Sequence, residues 1–156
     1  MKLIIGLGNP GEKYKNNRHN IGHLVAGELV KLQVPKDFIV KRTNVFMNDS
    51  GNFVKKLVDQ YHIEFSNLWV IHDDLDIPLG SYKIQNGKGP KLHNGINSIE
   101  QELGREDFWR VRVGVDSRKE GVRISGEQYV LQDFSDEEVK LLKPAIEEIC
   151  KKLVTS

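Results

Sequence analysis

Residues 6–22 read GLGNPGEKYKNNRHNIG and follow the apolar run Lys2-Leu3-Ile4-Ile5. Gly6, Gly8 and Gly11 spell G-x-G-x-x-G behind a strand-like segment, the spacing of a dinucleotide-binding loop. Such a loop needs its helix to open directly on the glycines, so that a pyrophosphate meets the helix N-terminus. Here Pro10 follows Asn9, and EKYKNN separates Gly11 from a helical pattern that begins near His19. The acidic residue expected about 20 positions on falls at Glu28, inside that helical pattern and not at a strand end. The glycines are therefore read as turning the backbone sharply off a sheet, and dinucleotide binding recedes.

Working outward, the rest of the chain alternates strand and helix patterns. KLIIGLG is a continuous apolar run ended by glycine, as in a buried α/β strand. From His19 to about Gln33, Ile21, Leu24, Val25, Leu29 and Leu32 recur at helical spacing. DFIVKR is a short strand, and Phe53, Val54, Leu57, Val58 and Tyr61 mark a second helix. LWVIHDD is a second apolar strand with polar groups at its end, and GSYKIQ alternates like a strand. KGPKLHNG is loop chemistry, INSIEQEL is a short helix closed by Gly104, and FWRVRVGVD alternates as a half-exposed strand. Ser135 and Glu138 have capping-box spacing, and Val139, Leu142, Ile146, Ile149 and Leu153 continue as an apolar stripe. Pro144 predicts a kink in that last helix. The expected architecture is a single domain over residues 1–156, α/β in class. It has three α/β/α layers around a twisted, mixed, mostly parallel sheet. Ligands of such sheets sit beyond the carboxyl ends of the strands, here after Ile5 and after Ile71.

Composition bounds the function. In 156 residues with 38% hydrophobic and 29% charged content, no apolar run approaches the ~20 residues of a membrane span. No signal-peptide pattern precedes the first strand. The one cysteine, Cys150, excludes an intramolecular disulfide and a cysteine-based metal site, which fits a cytoplasmic protein. Residues 1–56 carry ten Lys/Arg against four Asp/Glu, and residues 83–123 carry nine against six. If these two stretches meet, they make one face for an anionic ligand.

Several residues are placed to do chemistry. His19 opens a helix, where the dipole lowers an imidazole pKa and keeps it able to take a proton. His23 completes H-x-x-x-H, but no glutamate base and no third ligand accompany it, so no metal is expected. Asp73, Asp74 and Asp76 end the most apolar strand, where a carboxylate orients an imidazole or holds Mg²⁺. Asn9, Asn48 and Asn94 carry amides that steady a carbonyl or an oxyanion without titrating. Asn48 is equally placed to cap the second helix. Ser50 has no nucleophile-elbow context.

Taken together, LIIGLGNPGEKYKNNRHNIG, FMNDSG, VIHDDLDIPLG, LHNGINSI, FWRVRVGV and YVLQDFSDEE closely resemble the bacterial-type peptidyl-tRNA hydrolase family. The resemblance implies an esterase that frees tRNA and peptide from peptidyl-tRNA in translation quality control, without metal or cofactor. It implies His19 as the base that activates water and Asp73 as the group that orients and stabilises its ring. Asn9 would contact the peptide. Tyr14, Phe46, Asn48 and Asn94 would line the site for the peptide and the 3′-terminal adenosine. Lys83 and Arg112 would lie near the acceptor-stem phosphates. A cytoplasmic monomer that binds neither DNA nor membrane is implied as well.

Two departures from the family stand out. Lys91 and Leu92 replace the two glycines that usually precede H-N-G, and Leu92 would be strained at positive φ. The segment VPKDFIVKRTN before FMN is short, which predicts a sheet smaller by about one strand on that side. The altered loop motivates an alternative, an RNA-binding module on the same fold. Retention of His19 and Asp73 argues for the enzyme.

Overall fold

A computed structural model of the chain describes residues 1–90 and 92–156, so the expectation placed on Lys91 lies outside the described residues. Five strands form one sheet: β1 (Lys2–Gly6), β2 (Phe38–Arg42), β3 (Leu68–Pro78), β4 (Tyr82–Asn86) and β5 (Trp109–Asp116), in the order β2-β1-β3-β5-β4. The first four of that order pair in parallel and β4 joins β5 antiparallel. Parallel neighbours need crossovers. These are supplied by α1 (Ile21–Leu29), α2 (Ser50–Tyr61) and α3 (Asn94–Leu103), with α4 (Gly126–Val130) and α5 (Asp136–Thr155) following the last strand.

Alternation along the strands divides the core in two. Ile4, Ile71 and Val111 face Val25 and Leu29 of α1 and Leu142, Ile149 and Leu153 of α5. Leu3, Ile5 and Val70 face Val54 and Val58 of α2 and Ile96 and Ile99 of α3. The expected three layers are thus present, with a mixed, mostly parallel sheet in the middle.

The glycines of the opening stretch do two different jobs. Only Gly11 takes a left-handed turn conformation, at φ +105°. Gly6 is needed for close approach, because a Cβ there would overlap the Gly22 carbonyl of α1. Gly8 is similar, since a Cβ would lie 2.7 Å from the His23 ring. Sharp turning therefore explains one glycine, and tight strand–helix packing explains the other two.

Other expectations are corrected by tertiary contacts. The half-exposed reading of FWRVRVGVD fails because Arg110 is only 2% exposed. Its guanidinium pairs with Glu100 of α3 at 2.9 Å, donates to the Glu106 carbonyl at 2.8 Å and lies over Phe108. The first helix stops at Leu29, leaving Leu32 outside it and exposed. Val139, on the apolar stripe that the sequence predicts for the last helix, is 52% exposed; Ala145 and Cys150 are buried with Leu142, Ile149 and Leu153. The helix runs through Pro144. The five-residue α4 has no apolar period long enough to be seen in the sequence.

The capping box of α5 is complete, with Glu138 N donating to Ser135 Oγ at 3.2 Å and Ser135 N donating to Glu138 Oε1 at 2.9 Å. Ser135→Ala is expected to destabilise the protein by about 1 kcal/mol. Urea unfolding should show a lower midpoint at unchanged slope.

Candidate active site

β3 runs on through Asp73 to Pro78 because it keeps its pairing with β5, so the strand end expected after Ile71 is not there. β1 ends at Gly6 beside the middle of β3, where Leu7 N donates to the Ile71 carbonyl at 3.0 Å. His19 reaches this place from a 3-10 turn, Arg18–Asn20, that leads into α1. Its Nδ1 lies 2.8 and 2.9 Å from the two carboxylate oxygens of Asp73. Asp73 sits on β3 and is 3% exposed. The two residues that sequence reasoning nominated as base and orienting acid are therefore in contact.

A second histidine shares the carboxylate. His93 Nε2 lies 2.7 Å from Asp73 Oδ1. Its Nδ1 accepts from the amides of Gly95 and Ile96 at 3.1 and 3.2 Å, which makes His93 the N-cap of α3. An Nδ1 that accepts two amide N–H bonds carries no proton, so the ring proton is on Nε2 and is donated to Asp73. The carboxylate has no proton to give, so His19 also donates, from Nδ1, and its Nε2 keeps the lone pair. Sequence reasoning gave His93 no role. The available signal was a histidine immediately before a helix start, in a loop that also carries Asn94.

Burial opposes charge on both members of the central pair. For His19, the Asp73 carboxylate outweighs it, and the imidazole pKa lies above the ordinary histidine value. This corrects the expectation that the helix start would lower it. A nine-residue helix acting across a 3-10 turn cannot compete with a carboxylate at 2.8 Å. For Asp73, the two imidazoles overcome burial and hold the carboxyl far below the usual range. His72 is fully buried; burial and then His93 lower its pKa to about 3, and its Nδ1 donates to the Asp73 carbonyl at 2.8 Å. His23 turns away, bonding Thr43 Oγ1 at 3.0 Å, with its pKa lowered to about 4 by burial and Arg42.

Asn9 is 9% exposed and is fixed through its backbone, which exchanges two 2.9 Å hydrogen bonds with the Asn20 side chain. Asn9 Oδ1 accepts from Met47 N at 2.8 Å, leaving the two Nδ2 protons as donors. Phe46 precedes Met47, is 55% exposed, and meets Tyr14 edge-on with ring centres 6.2 Å apart. Asn48 is exposed in a 3-10 turn, Met47–Asp49; the cap position of α2 is Asp49, so Asn48 does not cap that helix. Asn94 is the exposed first residue of α3. A Cβ on Gly95 would lie 2.5 Å from Met47 Sδ and 3.0 Å from Leu7 Cδ1, so α3, the Met47 turn and the β1 exit loop are in close contact. His19, Asp73 and Asn9, with the Phe46–Asn48 turn and the start of α3, are thereby gathered in one place.

The remaining candidates lie elsewhere. Lys83 and Arg112 are cross-strand partners on β4 and β5. Arg112 is engaged by Asp74 and Gln85, each at 2.7 Å, which leaves Lys83 as the exposed cation of the two. Lys41 and Arg42 lie on β2, at the opposite sheet edge from Lys83 on β4, so the two basic stretches do not merge there. Leu92 is 89% exposed and free of the predicted strain; among the described residues only His62 is a non-glycine at positive φ.

For metal binding, the described residues offer one trio, His19, Asp73 and His93, with ligand atoms within 4.8 Å of one another. Neutral His93 binding through Nε2 would need its proton on Nδ1, which would forfeit the two α3 amides. The trio therefore suits hydrogen bonding better than ligation. Asp74 is taken by Arg112, and Asp76 is exposed, so the three aspartates do not converge as a Mg²⁺ site.

Sheet and site together define an α/β enzyme with an imidazole–carboxylate pair where β1 ends beside β3. Comparison with known sequences gives the family: the chain matches peptidyl-tRNA hydrolase over residues 3–156 and belongs to that family. It is 38% identical to the peptidyl-tRNA hydrolase of Mycoplasmopsis synoviae, across 94% of this chain and 84% of that protein. It is also 38% identical to that of Aliarcobacter butzleri, across 94% and 86%. The crystal structure of peptidyl-tRNA hydrolase from Acinetobacter baumannii superposes with a TM-score of 0.81 at 27% identity, covering 99% of this chain and 88% of that one.

Proposed function

We propose that this protein hydrolyses the ester of peptidyl-tRNA with a water molecule activated by His19. The 2.8 Å contact between His19 Nδ1 and Asp73 carries the reading, because it leaves the Nε2 lone pair as the base. Nε2 takes a proton from water, and the water oxygen attacks the ester carbonyl carbon. The bond to the ribose oxygen then breaks, and the imidazolium returns the proton to that leaving oxygen. Asp73 steadies the transient imidazolium. The Nδ2 protons of Asn9 are free to donate to the peptide or to the developing oxyanion. An ester is activated enough that neither a metal nor a covalent nucleophile is required, and the proton placement on His93 supports a metal-free site.

The Tyr14–Phe46 pair, Asn48 and Asn94 would receive the peptide and the terminal adenosine. Lys83 would meet acceptor-stem phosphates, with Arg112 shaping the same sheet edge while paired to Asp74. The whole of 1–156 would act as one domain, as a cytoplasmic monomer. No described helix is long and apolar enough to cross a membrane.

Release of free tRNA from N-acetylated aminoacyl-tRNA tests this directly. Full activity in EDTA is the expected result. No turnover, with tRNA binding intact, would leave an RNA-holding protein. Salt gives a second check. With two to three phosphates neutralised, KM is expected to rise about ten- to fortyfold between 50 and 200 mM KCl, at nearly constant kcat. A KM indifferent to salt would remove the phosphate contacts from the account.

A further inference from the structure

We infer that Arg18 is a positioning residue: its buried pairing with Glu138 fixes the turn that aims His19 at Asp73. This rests on His19 being the base.

Arg18 immediately precedes His19 and points away from the site. Its Nη2 donates to Glu138 Oε1 at 2.7 Å, and its Nη1 donates to the carbonyls of Gln132 and Asp133, each at 3.2 Å. The guanidinium lies 4.0 Å from the centre of the Tyr129 ring. The backbone is tied to the same corner, with Arg18 N donating to the Gln132 carbonyl at 3.1 Å and Phe134 N to the Asn16 carbonyl at 3.0 Å. Asn17 Nδ2 donates to Asp133 Oδ1 at 2.6 Å. Glu138 is itself held by Ser135 N and by Ser117 Oγ at the exit of β5.

A buried ion pair is a weak device for stability, because well-packed apolar residues usually serve as well. This one also leaves Arg18 Nε buried without a partner among the described residues, a cost that an apolar pair avoids. What the pair supplies is direction. A planar guanidinium with three directed hydrogen bonds and a stacking face sets orientation as well as distance. The turn carrying His19 is three residues long, so a rotation at Arg18 passes straight to the imidazole. Asn20 is anchored on the far side by Asn9, and Arg18, with Asn17 before it, anchors the near side next to His19. No hydrogen bond joins Arg18 to His19 or Asp73 among the described residues, so its action is indirect.

The test removes both charges at once, as Arg18→Met/Glu138→Leu in the full chain. Thermal midpoint, kcat, KM and NMR titration of the His19 ring are measured together. Expected are a midpoint a few degrees below that of the wild type, because the α5 capping box loses its Glu138 half, and a KM within about twofold. The expected fall in kcat is about ten- to a hundredfold. His19 should titrate at lower pH, because the ring loses Asp73 while staying buried. Arg18→Lys keeps the charge but not the fork, and should lower kcat at unchanged KM. That variant decides the matter if the double variant does not fold. Wild-type kcat and His19 titration in the folded double variant, or wild-type kcat in Arg18→Lys, would overturn the proposal. A wrong base assignment would appear separately, as a His19→Ala enzyme that keeps its activity.

Discussion

Replacing His19 with alanine is expected to lower kcat/KM for an N-acetylated aminoacyl-tRNA by about a thousandfold, with the loss in kcat. The imidazole hydrogen-bonds only to Asp73 among the described residues. Its removal does not orphan that carboxylate, which still accepts from His93 Nε2 at 2.7 Å. The fold should therefore survive. The sign of the linkage agrees. The pKa of His19 is raised on folding, so its stabilising share is full below its ordinary value and fades as pH rises through the higher one. Above that point the stability gap between the alanine variant and the wild type should be at its smallest, with the variant still inactive. Steady-state tRNA release with parallel thermal unfolding checks both halves. A loss of less than about tenfold would remove His19 from the base role.

Asp73→Asn is expected to cost about 10²–10⁴-fold in kcat, for a reason specific to this arrangement. The His93 ring is pinned by two backbone amides, so it continues to offer Nε2–H to the oxygen of residue 73. The new amide nitrogen then faces His19 and presents a donor. His19 Nδ1 must accept, which moves the ring proton to Nε2, the atom that should receive the proton of water. The pKa of His19 changes as well. In the wild type, burial lowers it and Asp73 more than compensates. Without the carboxylate, burial is left unopposed. The acid limb of kcat/KM against pH should therefore move to lower pH even as the plateau falls. A reduced plateau with an unmoved limb would mean that Asp73 is not what raises the pKa.

What could be read from the sequence was largely what is local. The apolar runs of β1 and β3, the Ser135–Glu138 box and the Gly104 helix stop each depend on neighbours within a few residues, and each is present. His19 and Asp73 are 54 residues apart, and no spacing rule joins them. Polar groups after the apolar run Leu68–Ile71 and the family resemblance point to the pair, although β3 itself continues to Pro78. The same distance explains the mistaken pKa direction, since a helix start is visible locally and a carboxylate from another strand is not. Arg110 looked solvent-facing because its partner Glu100 arrives on α3 only in the fold. The role of His93 stayed hidden because it needs both Asp73 and the α3 amides. Lys83 and Arg112 were nominated together, but a neighbouring acid, Asp74, engages only one of them.

The central claim is that neutral His19, held by Asp73, takes the proton from water. Its most direct test follows the His19 ring by NMR across pH and measures kcat/KM in the same solutions. The two midpoints are expected to coincide, at a value above the ordinary histidine pKa of about 6.5, with the rate rising as the ring loses its proton. A rate that stays flat while His19 titrates would contradict it.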